Sequence, residues 1–144
     1  MTKIEAVKIQ AKMLEGKSKK WYSLTCANRP DCVWLSNGII IVRIPIEFYM
    51  LNVPENIGIN GYTTLPEDAV KGWLTETRFK DKGEGMLVKA EAIGTEARVK
   101  EKCIKLFGKA DKYNVWITPK AVWLTVPDTG EVLGVIAGVR GIKL

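Results

Sequence analysis

The sequence has no histidine. That absence excludes the Ser-His-Asp and Cys-His mechanisms, imidazole acid–base chemistry and every histidine-containing metal site. Cysteine is scarce as well: Cys26, Cys32 and Cys103 are the only three. An odd count, with no apolar leader in Met1-Thr2-Lys3-Ile4-Glu5, argues against a disulfide framework and for a cytoplasmic setting. Long hydrophobic runs are missing too. The longest, Gly38-Ile39-Ile40-Ile41-Val42, stops at Arg43, far short of the roughly 20 apolar residues that span a bilayer. No membrane partner is expected.

What is there belongs to an ordinary globular chain. The 144 residues are 47% hydrophobic and 26% charged, which fits one domain and excludes disorder. The net charge of +6 is unevenly spread. Residues 1–20 hold six Lys against two Glu, and residues 71–120 hold twelve Lys or Arg against seven acids. Residues 21–70 are acidic, with two Arg against five acids. Positive charge therefore sits on two separated segments.

The first helix is punctuated at its start. Thr2-Lys3-Ile4-Glu5 fits a capping box, and Gly16 suits the position past the C-terminus. Ile4, Val7, Ile9, Ala11, Met13 and Leu14 spread over a wide arc, which predicts deep packing against a sheet. Residues 20–44 read as an antiparallel meander: Lys20–Cys26, Cys32–Leu35 and Ile39–Ile44, with turns at 28–31 and 36–38. One or two helical turns are expected over 46–51. Residues 52–63, rich in Gly, Asn and Pro, are the candidate internal hinge.

A second capping box, Thr64 with Glu67, and the apolar Ala69, Val70, Trp73 and Leu74 predict a helix. A turn at 80–85 and a strand over Met86–Ile93 follow. Over 96–107, Val99, Cys103, Leu106 and Phe107 favour a helix ended by Gly108, with a strand over Cys103–Phe107 as the alternative. The C-terminal part reads as β again: Tyr113–Thr118, Val122–Val126, a turn at Pro127-Asp128-Thr129-Gly130, and Glu131–Arg140. Strands arriving in runs predict an α+β domain, with antiparallel sheets from two β-meanders packed against about three helices. A short echo links Val33-Trp34-Leu35-Ser36 to Val115-Trp116-Ile117-Thr118, which leaves a duplication open.

Candidate chemistry is sparse. Cys26 and Cys32 flank a turn, but zinc wants four ligands and only Cys103 remains, so no metal and no cofactor is expected. No Lys-Ser/Thr follows the glycines near Gly83 and Gly85, which excludes a Walker-type phosphate loop. Basic residues beside aromatics carry the functional signal. Lys17, Lys19, Lys20, Trp21 and Tyr22 form one group, and Lys105, Lys109, Lys112 and Tyr113 another. Nucleic-acid surfaces combine such cations with rings that stack on bases. The competing explanation is a solvated charged turn beside core aromatics.

Two segments resemble pieces of the bacterial DNA sliding clamp. In that family a strand–turn–strand unit runs Thr-Asp-Gly-x-Arg-Leu-Ala; Ser36-Asn37-Gly38-Ile39-Ile40-Ile41-Val42 keeps the Gly and the apolar end but not the Arg. The family's last strand ends in Pro-x-Arg; Leu133 to Arg140 keeps the Arg, with Gly138 in place of Pro. Small uncharacterised prophage and mobile-element proteins look similar in size and in this closing strand. The chain departs from clamps in beginning with a helix and in being basic, and no clamp residue role transfers.

Three functional expectations follow. The first is a non-enzymatic module of phage or mobile-element type, clamp-like as the resemblance implies, contacting DNA or a replication protein. Lys17, Lys19, Lys20, Lys109 and Lys112 would meet phosphates, and Trp21 and Tyr113 would stack. The second is a protein-interaction or structural module with an apolar partner surface at Phe48-Tyr49-Met50-Leu51, for which a homo-oligomer is an allowed state. The third is an enzyme that works without histidine.

Overall fold

The computed structural model describes residues 1–15, 21–24, 30–56 and 62–139. The chain divides into two compact units, Met1–Thr64 and Leu65–Leu144. Among the described residues there are ten strands but only two α-helices. The expectation of two meanders packed against about three helices is therefore corrected: the fold is sheet-dominated, and the sheet is mixed rather than purely antiparallel.

In the first unit, helix α1 spans Lys3–Glu15. The Thr2 hydroxyl accepts from the Glu5 amide at 3.2 Å, the N-terminal half of the expected capping box. The helix buries only Ala6, Ile9, Gln10 and Met13, a narrower stripe than its composition implies. Ile4 and Leu14 stay 67% and 72% exposed. Strands β1 (Tyr22–Leu24), β2 (Cys32–Ser36), β3 (Ile40–Pro45) and β4 (Glu55–Asn56) follow, in the order β4-β1-β2-β3. The β2–β3 turn is built by local polar chemistry. Asn37 Oδ1 accepts from the amides of Ile39 and Ile40, and Gly38 takes φ 90°, which a side chain would resist. A 3-10 turn over Ile46–Phe48 leads out of β3, near the helical turns expected there.

The second unit holds β5 (Val70–Asp81), β6 (Gly85–Ala92), β7 (Thr95–Lys100), α2 (Glu101–Leu106), a 3-10 turn (Ala110–Lys112), β8 (Asn114–Ile117), β9 (Ala121–Thr125) and β10 (Val132–Ala137). Their order is β10-β9-β8-β5-β6-β7, each pair antiparallel. The sheet curls, so that β7 approaches β8 and β9 from the far end of the order. After β10 the chain ties the curl: Gly138 N–H donates to the Lys120 carbonyl and Val139 N–H to the Arg98 carbonyl, each at 2.8 Å. The core between includes Val88, Ala90, Val99, Ile117, Val122, Leu124 and Ile136.

Two sequence expectations change here. The predicted helix from Thr64 is replaced by a turn, closed by Ala69 N–H on the Pro66 carbonyl, and then by β5. Gly72 in mid-segment disfavours a helix by about 1 kcal/mol, and pairing on both edges of β5 decides for strand. The region 96–107 divides into strand and short helix. Ala97 and Val99 alternate with Glu96, Arg98 and Lys100 along the β6 edge, and helical spacing governs only Glu101–Leu106. Gly108, at φ 84°, ends it as expected.

The two units share an internal order: helix, then a three-strand antiparallel meander. Their middle strands are Cys-Val-Trp-Leu-Ser and Ala-Val-Trp-Leu-Thr, buried at all five positions in both. The topological counterpart of Val33-Trp34-Leu35-Ser36 is thus Val122-Trp123-Leu124-Thr125, not the segment at 115–118. No helix among the described residues is long and apolar enough to cross a membrane.

Candidate nucleic-acid interface

The residues singled out from sequence have different fates. Lys17, Lys19, Lys20 and Cys26 lie outside the described residues. Trp21 is half-buried just before β1. Lys109 and Lys112 are exposed, one before and one within the 3-10 turn that leads into β8. Tyr113 is only 4% exposed, and its hydroxyl has no hydrogen-bond partner among the described residues. Burial pushes its phenol pKa up. A ring with no open face does not stack on a base, so Tyr113 contributes packing to the second unit rather than an aromatic surface. At the proposed apolar segment, Met50 is 63% exposed, while Phe48, Tyr49 and Leu51 are half-buried.

Much of the positive charge of 71–120 is already matched. Lys89 Nζ stands 2.9 Å from both Glu91 and Glu96, whose hydrogen bonds raise its pKa. Glu101 receives Arg78 at 2.6 Å and Lys105 at 3.2 Å, and the same contacts lower its carboxyl pKa. Lys100 pairs with Glu84 at 3.0 Å. The Arg98 guanidinium lies 3.8 Å over the Phe79 ring. These groups form a ladder of compensated charge on β5, β6 and β7.

Strand register assembles a different group. Lys71 on β5 lies opposite Trp116 on β8, and Trp116 lies opposite Trp123 on β9. Opposed residues share a face, and so do residues two apart on one strand. Lys71, Trp73, Trp116 and Trp123 therefore stand on one face of the sheet. Trp73 is diagonal to Trp116, a relation that puts their Cβ atoms about 7–8 Å apart. Exposure rises along the row: Trp123 is 3% exposed, Trp116 half-buried and Trp73 50% exposed. The Trp116 Nε1–H donates to Thr125 Oγ1 at 3.1 Å, which fixes its indole.

Local structure explains how Trp73 is presented. The β5–β6 register shifts between Leu74 and Arg78, an irregularity that begins just past the indole. Such bulges increase twist and re-aim neighbouring side chains. Thr75 Oγ1 donates to the Lys89 carbonyl at 2.8 Å, and Arg78 Nη1 donates to the Thr75 carbonyl at 2.8 Å, so the irregular stretch is held. Continuing the β5–β8 register one step past Gly72↔Val115 places Trp73 level with Asn114, where β8 begins. The turn carrying Lys109 and Lys112 leads into that same end of β8, and the exposed Lys120 follows the other end.

Sequence reasoning missed Lys71, Trp73 and Trp116 because it placed 71 and 73 on a helix and read the tryptophans as core. The signal was the alternation Lys71-x-Trp73, legible only once the segment is a strand. Among the described residues no group of three or more Cys, Asp or Glu is placed to hold a metal ion. No protein-family model matches the chain, and neither a curated protein nor a solved structure matches it.

Proposed function

We propose that the chain is a non-enzymatic nucleic-acid-binding module that works through the β5–β8 face of its second unit. The observation that carries this reading is Lys71 registered on the same face as two accessible tryptophans, with Lys109, Lys112 and Lys120 at the ends of β8. Cations that neutralise phosphates supply affinity, and indoles supply a surface for bases. Lys109 and Lys112 keep the phosphate role expected of them, while stacking passes from Tyr113 to Trp73 and Trp116. The compartment in this reading is the cytoplasm, and Cys32, buried and in no disulfide, is compatible with it.

The test is fluorescence anisotropy on labelled DNA and RNA across a salt series. The expected logarithm of affinity falls linearly with the logarithm of salt, and exchanging Lys71, Lys109 and Lys112 for Gln flattens the slope by about 2. Affinity that ignores both salt and the triple exchange would end the proposal.

A second reading has one observation in its favour. Ile4, Val7, Ala11 and Leu14 line one side of α1, at a spacing suited to a helical seam, and Ile4 and Leu14 are largely exposed. This would make the protein an interaction module. Self-association measured by sedimentation, abolished by Leu14→Glu, supports it; a monomer at all concentrations removes it.

A further inference from the structure

Resting on that reading, we infer that the ligand is single-stranded nucleic acid, recognised by base stacking on Trp73 with little regard to sequence. Charge on this face is divided by Trp73 itself. On its β8 side stand Lys71 and, at the strand ends, Lys109, Lys112 and Lys120. On its β6 side, Glu91 lies directly opposite Trp73, and Glu96 lies opposite Glu91. Lys89 is occupied by these two carboxylates and Arg98 stands opposite Lys89 on β7, so the charge on that side is compensated within the sheet. One phosphate backbone is accommodated along β8. A second backbone, as in a duplex, would run over charges already paired within the sheet and gain no comparable neutralisation.

The aromatic geometry points the same way. Trp73 is half exposed, the most exposed tryptophan of the row, and offers a ring to an unpaired base. In a duplex each base face is covered by its neighbours, leaving only edges and phosphates, which an indole on a sheet does not read. Every base has a π-face, so stacking tolerates sequence. Trp116, tethered to Thr125 and diagonal to Trp73, gives a second, shallower position.

The experiment uses the full chain and labelled oligonucleotides of about 16 nucleotides. The set is oligo(dT), oligo(dA), an abasic strand of equal phosphate number, and a duplex of equal length. Oligo(dT) and oligo(dA) should bind alike, roughly tenfold or more tighter than the abasic strand and the duplex. Binding should quench tryptophan fluorescence. Trp73→Ala should weaken single-strand binding by roughly tenfold to a hundredfold while the salt slope stays unchanged, and Trp73→Phe should recover part of the loss. Unfolding midpoints of both variants establish that they are folded. Equal, salt-dependent binding of single strand, abasic strand and duplex would overturn this inference and leave the nucleic-acid reading standing. Absence of binding to all four would overturn the reading itself.

Discussion

Gln10 illustrates what one buried polar side chain can organise. It is fully buried on α1, yet each of its polar atoms is used. Its Nε2 donates to the Ala6 carbonyl at 3.1 Å and to the Phe48 carbonyl at 2.7 Å, and its Oε1 accepts from Met50 N–H at 2.7 Å. The helix is thereby tied to the segment just after β3. Gln10→Ala leaves the Phe48 carbonyl and Met50 amide without that partner, and should cost about 2–3 kcal/mol. A urea unfolding midpoint indistinguishable from the parent's would refute this latch. Nothing in the sequence marked Gln10, because a polar residue on a helix is ordinarily read as surface.

At the scale of elements, β5 is decided at Gly72. It pairs with Val115 on β8 and with Ala92 on β6, so it sits where three strands meet. A Cβ there would collide with the Glu91 carbonyl oxygen and lie 2.8 Å from Ile117 Cδ1 and 2.9 Å from the Ala92 Cβ. The first obstacle is backbone, which cannot swing aside. Gly72→Ala should therefore destabilise by about 1–3 kcal/mol. Thermal unfolding measures it, and an unchanged or raised midpoint counts against the packing described. The helix expected from sequence here rests on Val70, Trp73 and Leu74, which fit a helical stripe, and only cross-strand partners far away in sequence reveal the strand. Elements with local signals were legible. The α1 cap at Thr2, the Asn37-Gly38 turn, the 80–85 turn and the Pro127–Gly130 turn each stand where residue chemistry placed them.

For the whole molecule, paired charges set the pH range of stability. Lys89 has its pKa raised above the ordinary 10.5 by Glu91 and Glu96, and Tyr113 has its own raised above 10.0 by burial. A raised folded value favours the protonated form. Both contributions are complete below the unfolded values and are lost as pH rises through the folded ones. Glu101 is the opposite case. Its pKa is lowered below the ordinary 4.5 by Arg78 and Lys105, so its contribution is present above that value and fades as pH falls through the folded one. A thermal midpoint that declines above about pH 10, with a smaller decline in Tyr113→Phe, is expected from pH-dependent calorimetry. An identical alkaline limb in the variant would contradict the role of the buried phenol.

The residue list by itself excluded imidazole chemistry, located most turns, and marked the basic segments, since these depend on composition and on neighbours in the chain. It also placed Lys109 and Lys112 beside a strand. Tertiary structure alone decided that 70–81 is a strand, that Tyr113 is buried, and that Lys71, Trp73 and Trp116 share a face. The physical reason is that a strand's hydrogen bonds and side-chain neighbours come from distant residues: register, not local propensity, determines which side chains meet.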